Sequence, residues 1–236
     1  MIKVRKSEDR GYANRGWLNA NFSFSFADYY DPQNMGFRVL RVLNDDTIAP
    51  GRGFGPHAHR DMEIVTYVLK GGLLHRDSTG EQHVLRPNEV QTMSAGSGII
   101  HSEFNASETE QVHSIQIWIN TAEEDLPPSY QQVAFSPAEK RGRFRLLAGP
   151  KSAPGQSATT INQDARIYVS ELGPAEVLKR DLDTSRYAWV QILRGTVEMN
   201  GQALKQGDGA AVSNERELSF SANAPEGCEF LLFDLP

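Results

Sequence analysis

The 236-residue chain is predicted to be all-β, built as two related β barrels in tandem. Three observations point there: short segments with period-two alternation or β-branched runs, turn-forming clusters between them, and a weak echo of the first half in the second. In that echo Ile192-Leu193-Arg194-Gly195 repeats Val68-Leu69-Lys70-Gly71, and Gln206-Gly207-Asp208 stands where Pro87-Asn88-Glu89 stands.

Taken in order, Phe22, Phe24 and Phe26 alternate with Ser23 and Ser25, the mark of a half-buried strand. Tyr29-Tyr30-Asp31-Pro32 breaks the run as a turn, and a second strand is expected over Phe37 to Leu43, closed by Asn44-Asp45-Asp46. Pro50 to Pro56 is a glycine-rich loop that delivers the chain into His57-Ala58-His59. Ile64 to Leu69 is a β-branched strand; Asp77 to Gly80 and Arg86 to Glu89 are turns; Val90 to Met93 is a strand leading through Ser94 to Gly98 into His101-Ser102-Glu103. From Ser114 to Ile119 the isoleucines 115, 117 and 119 share one face, expected to be core, and Gln116 and Trp118 share the other, expected to face a cavity. The pattern loosens after Leu126, and Ala148 to Gly155 is a Pro/Gly/Ser loop of the kind that separates modules. The expected organisation is a first barrel over residues 1–130, a linker region over 131–155 and a second barrel over 156–236.

Two short segments carry the chemistry. His57 and His59, then His101 and Glu103 after 41 intervening residues, each form an i, i+2 pair that a strand presents on one face. Two facing strands would bring these four together as one metal site. Three imidazoles and a carboxylate without a thiolate suit a divalent Fe, Mn, Co, Ni, Cu or Zn ion and leave coordination positions open. Glu63 is set aside as a ligand, because four extended residues would carry it roughly 13 Å from His59. His75, His83 and His113 have no second histidine or glutamate at i+2 or i+4 and are expected to make ordinary hydrogen bonds. Asn105 is expected to cap a turn, and Phe54 and Met93 to be core; Trp118 and Phe104 are the candidate cavity linings.

Composition removes several function classes. Thirty acidic against 24 basic residues, a net charge of -6, leave no basic footprint for nucleic acid. No run of about 18 apolar residues exists to span a membrane. The N-terminus carries basic residues with no apolar stretch behind them, so no secretory signal is expected and the cytoplasm is the expected compartment. The single cysteine, Cys228, cannot form an internal disulfide and is expected to be a small buried hydrophobe. All six histidines lie at or before His113, so the second half cannot rebuild the imidazole site. Asp181 and Asp183, which stand where His57 and His59 stand relative to Gly71, are expected to form a solvated turn.

At these residues the chain resembles the cupin superfamily, and more narrowly the pirin family of bicupins. Gly16-Trp17-Leu18, Phe24 to Ala27, Tyr30-Asp31-Pro32, Met35-Gly36-Phe37, Asn44-Asp45-Asp46, Asp61-Met62-Glu63, Thr66 to Leu69 and Met93 to Gly98 carry the likeness together with the two ligand pairs. General cupins place a ligand glutamate shortly beyond the His-x-His; aligned on Gly71, that position is Ile64 here. The resemblance implies that Glu103 replaces it, giving His57, His59, His101 and Glu103 as ligands, and that both barrels are of the jelly-roll cupin type. It also implies one divalent transition metal, Fe(II) first. The activity implied is quercetin 2,3-dioxygenase, opening a flavonol ring with O2 and releasing CO, with Glu103 as the base that takes the flavonol 3-hydroxyl proton. The expected partners are then a small aromatic substrate and O2, with no nucleic acid or membrane, and the expected state is a monomer. The same resemblance supports an alternative, a non-catalytic metal-dependent regulatory protein that senses redox state and binds a protein partner.

Overall fold

The structure is a computed structural model that describes residues 1–151 and 159–236. The chain starts with β1 (Ile2–Arg5), β2 (Gly11–Asn14), β3 (Leu18–Phe22), β4 (Leu40–Ile48), β5 (Gly53–His59) and β6 (Met62–Lys70). It continues through β7 (Leu73–Asp77), β8 (Gln82–Leu85), β9 (Glu89–Ser94), β10 (Ile99–Asn105), β11 (Val112–Asn120) and β12 (Ser129–Ala134). The second half holds β13 (Arg145–Gly149), β14 (Thr159–Thr160), β15 (Arg166–Leu172), β16 (Val177–Asp181) and β17 (Tyr187–Met199). It ends with β18 (Gln202–Lys205), β19 (Gly209–Ser213), β20 (Glu217–Ser221) and β21 (Cys228–Leu235). Helical turns are confined, among the described residues, to two three-residue 3-10 segments, so the all-β class holds. Among the described residues, no helix is long and apolar enough to cross a membrane.

The first barrel is two sheets face to face. One is seven-stranded, in the order β12-β9-β6-β11-β4-β3-β2, and the other four-stranded, in the order β5-β10-β7-β8. Alternation gives the larger sheet two working faces. Leu43, Val65, Tyr67, Val90, Ile115, Ile117 and Ile119 point away from the small sheet and join Leu147, Ile167, Trp189, Leu231 and Phe233 of the second half in one core cluster. Burying both faces explains the near-continuous apolar run of β6. The nine strands of the second half, joined by β1, form a ten-stranded sheet system around a cluster of Val190, Ile192, Leu218, Phe220, Phe230 and Leu232.

The internal echo is a backbone echo. Gly71 and Gly195 both have positive φ, 80° and 68°, and at each an added Cβ would meet a carbonyl oxygen, that of Gln111 at 2.7 Å and that of Gly227 at 2.0 Å. Asn88 and Gly207 likewise share positive φ at equivalent turns. Only residues without a bulky Cβ substituent take that conformation cheaply, so the repeat survives at these positions while the ligands do not.

Several local expectations change. The alternating phenylalanines do not lie on one strand: β3 ends at Phe22, Phe24 enters the core shared by both halves, and Phe26 turns toward the first barrel's cavity. Asn44, Asp45 and Asp46 do not close a strand but sit inside β4, because β3 and β11 pair with it on both sides as far as Ile48. The Pro50–Pro56 loop becomes strand at Gly53; Pro56 is tolerated because β5 is an edge strand paired only with β10. Strand pairing also cuts across sequence order. β1 pairs with β19, Ile2 opposite Val212, and so hydrogen-bonds into the second half. β12 extends the first sheet, whereas β13 lies in the second; residues 152–155 of the expected linker lie outside the described residues.

Candidate metal centre

The ligand candidates converge between the two sheets of the first barrel. β5 and β10 pair antiparallel, with His57 opposite His101 and His59 opposite Ile99. Period-two alternation then turns His57, His59, His101 and Glu103 to the concave face. The register shifts between His101 and Glu103, so that Glu103 faces Phe54 and one extra β5 residue is absorbed as a bulge. At that point the strands touch: a Cβ on Gly53 would lie 2.2 Å from the Glu103 carbonyl oxygen and 2.5 Å from the Phe104 Cα.

The three imidazoles form a nearly equilateral triangle, with ring centroids 4.4 Å apart for His57–His101 and 4.8 Å for both His57–His59 and His59–His101. One nitrogen from each lies within 4.8 Å of the others. Glu103 is gathered by the same criterion with His101 and His75 rather than with His57 and His59. His75, expected to make only ordinary hydrogen bonds, is thus fully buried against the site, its Nε2 2.8 Å from Asp77 Oδ2. The signal was present as His75-x-Asp77, an i, i+2 pair on β7 that faces His101 and Glu103 across the ladder.

The electrostatics favour neutral donors. Burial, followed by the charge of His57, lowers His59 to about 4; burial, followed by His57 and His59, lowers His101 to about 2. Burial pushes the Glu103 carboxyl up, against the opposing pull of the hydrogen bond that Gln116 Nε2 donates to its Oε2 at 2.9 Å. His57 Nδ1 donates to the Gly55 carbonyl at 2.8 Å, which leaves its Nε2 lone pair bare. His101 Nε2 and Glu103 Oε1 are buried with no hydrogen-bond partner. Asn44 Oδ1, Asp46 Oδ1, Gln91 Oε1 and Trp118 Nε1 are unpartnered in the same way around them. Buried polar atoms are almost always satisfied, so orphans on the His101 imidazole and the Glu103 carboxylate, beside the rings of His57 and His59, fit a cation-binding centre.

The centre opens on a cavity of about 420 Å³ walled by Trp17, Phe26, Phe54 and Trp118, with Asn44 and Asp46 as its polar side. Trp118 packs edge-on to His59, centroids 4.8 Å apart. Phe54, expected in the core, is wall instead, because the bulge turns it inward. Phe104 is not a lining: it follows Glu103 on β10, so alternation sends it to the outer face, where it is 36% exposed. Asp46 is fully buried and its carboxyl is held well above the usual range by burial and by the charges of Asp45 and Glu103.

The other set-aside groups have structural roles. Glu63 accepts hydrogen bonds from Ser94 and Asn162 at the contact between the halves. His83 meets Glu81 at 2.7 Å, and His113 meets Asp45 at 2.6 Å. Asn105 caps its turn, donating to the Ile48 and Glu110 carbonyls and accepting from Ser107 N. Met93 and Cys228 are buried; Asp183 accepts from Ser185 N in an exposed turn, whereas Asp181, expected in the same turn, ends β16 opposite Glu217.

Residues 3–119 match the Pirin family, and residues 146–235 match the Quercetinase C-terminal cupin domain. Quercetin 2,3-dioxygenase of Escherichia coli (strain K12) is 43% identical over 236 residues, 100% of this chain and 99% of the relative. The chain belongs to the pirin family. This pirin superposes on the crystal structure of YhhW from Escherichia coli with a TM-score of 0.94 at 43% identity, covering 100% of this chain and 98% of that one. The bacterial pirin YhhW in complex with nickel(II) matches with a TM-score of 0.92 at 42% identity, covering 100% and 99% of the two chains. The two-barrel, bicupin architecture is therefore common to this pirin and YhhW.

Proposed function

We propose that this pirin is a metal-dependent dioxygenase that opens the ring of a flavonol with O2 and releases CO, its ion held by His57, His59, His101 and Glu103. The observation that carries this is the pair of buried, unpartnered atoms, His101 Nε2 and Glu103 Oε1, beside a triangle of imidazoles at the end of an aromatic cavity. The nickel complex of YhhW and the name of the Escherichia coli relative support it. The divalent ion when bound, Fe(II) by preference, supplies a Lewis acid that acidifies a hydroxyl placed against it.

The chain's own residues do the rest. Trp17, Phe54 and Trp118 offer flat apolar surface for a planar polyphenol and exclude water from it. Glu103 takes the proton of the flavonol 3-hydroxyl, while Gln116 holds its Oε2. An ion beside this carboxylate lowers its affinity for a proton, but the same ion acidifies the bound hydroxyl, so the two shifts partly offset each other. The resulting electron-rich flavonolate is the partner for O2, so the protein positions and shields without contributing a redox side chain.

The test is metal analysis of the purified protein, then anaerobic loading with single metals and O2 uptake over a flavonol panel. Uptake with stoichiometric CO supports the proposal, and Glu103→Gln should lose more turnover than metal. Absence of uptake with every metal would favour a metal-dependent regulatory protein.

A further inference from the structure

His101 sits at the head of a buried chain of ring and carboxylate contacts that the proposed reaction does not use. Its Nδ1 lies 3.5 Å from His75 Nδ1; His75 Nε2 lies 2.8 Å from Asp77 Oδ2; and Gln91 Nε2 lies 3.3 Å from His75 Nδ1. Both rings and the Asp77 side chain are buried. The far oxygen of Asp77 is itself fixed, accepting from Thr79 N at 2.8 Å and Thr79 Oγ1 at 2.6 Å.

With the Gln91 amide nitrogen facing His75 and the His75 ring neutral, one assignment of ring protons gives every contact a donor and an acceptor. The Asp77 carboxylate accepts, so His75 carries its proton on Nε2 and its Nδ1 is an acceptor. That Nδ1 receives the Gln91 amide and must also face a donor on His101, which places the His101 proton on Nδ1. His101 Nε2 is then bare, and among the described residues it is the one buried imidazole nitrogen without a partner. Both His75 nitrogens are engaged, so His75 is not a ligand although it lies within 4.8 Å of the ligand atoms of His101 and Glu103.

We propose that His75 and Asp77 are positioning residues: the Asp77–His75–His101 chain fixes the His101 tautomer and ring orientation so that Nε2 is presented to the ion. Metal-bound imidazoles commonly need an outer partner of this kind, and here a second histidine relays the carboxylate. The proposal rests on His101 being a ligand.

Two measurements test it. In the metal-free protein, long-range proton–nitrogen NMR should show His101 protonated on Nδ1, and His75→Phe should convert it to a mixture of tautomers. Binding of Co(II) should weaken about 10- to 100-fold in His75→Phe with a changed visible spectrum, and His75→Gln, which keeps an acceptor, should restore most of it. If His75→Phe does not fold, Asp77→Asn replaces it, with a smaller loss in the same direction. Wild-type Co(II) affinity and an unmoved His101 tautomer in a folded variant would overturn the relay. A wild-type protein that binds no Co(II) would overturn the ligand assignment and the positioning role with it, whereas the NMR result separates the two failures.

Discussion

Gln116 Nε2 donates to Glu103 Oε2 at 2.9 Å, and this contact ties the two sheets of the first barrel together at the candidate centre. Gln116 stands in a cross-strand row with Asn44 and Thr66, and Thr66 stands opposite Gln91, so one polar stripe crosses the floor of the cavity. Two of its amides orient site groups, Gln116 holding Glu103 and Gln91 holding His75. Gln116→Leu should preserve the fold and lower turnover about 10- to 100-fold, with a parallel loss in metal affinity. Steady-state kinetics and a metal-binding isotherm on the purified variant check both; unchanged turnover would show that Glu103 needs no such support.

The close approach of β5 and β10 gives a second prediction. Gly53→Ala places a methyl 2.2 Å from the Glu103 carbonyl oxygen, a backbone atom that cannot swing aside. The strands must part at the bulge, so the variant should lose about 1 to 3 kcal/mol by denaturant unfolding and bind metal more weakly. Gly55→Ala, whose Cβ would meet nothing within 4 Å, is the control and should leave stability nearly unchanged.

The contact between the halves contains a buried ionic cluster. Glu229 Oε1 accepts from Tyr67 Oη at 2.7 Å and from Lys140 Nζ at 2.6 Å, with Lys140 and Glu229 side chains only 7% and 4% exposed. Glu229→Ala would leave the Lys140 ammonium with Glu171 at 3.5 Å as its remaining carboxylate and the Tyr67 hydroxyl at 3.3 Å, and should cost about 3 kcal/mol. Replacing Lys140 and Glu229 together by methionine and leucine should recover most of that loss. Thermal melts of the single and double variants decide it.

Asp46 provides a pH signature. Its folded pKa lies above the ordinary value of 3.8, chiefly through burial, so the folded state holds a proton that the unfolded chain releases. The contribution to stability is full below pH 3.8 and is lost as pH rises through the folded value. Asp46→Asn removes that loss, so the melting temperature of the variant relative to wild type should climb from acid to neutral pH. A difference independent of pH would place the carboxylate in a solvated setting.

Much of the site was legible because strand alternation is a local rule. The i, i+2 spacing of His57, His59, His101 and Glu103 was enough to put all four on one face, and the same rule separated Ile115, Ile117 and Ile119 from Gln116 and Trp118. Asn44 and Asp46 were not legible as cavity residues: an Asn-Asp-Asp run is locally a turn signal, and only pairing with β3 and β11 keeps it extended. Phe104 failed for the opposite reason, since its aromatic character suggested a wall while its parity on β10 sends it outward.

The sequence by itself determined the all-β class, the first-barrel location of every imidazole, the absence of a thiolate and the two facing pairs, because each follows from residue type and a period of two. Tertiary structure alone decided that β1 pairs with β19, that Glu229 answers Tyr67 across the halves, and that His75 and Asp77 lie behind His101. Those contacts join residues from separate strands, and their partners are selected by register and by burial of the whole sheet, which no local pattern encodes.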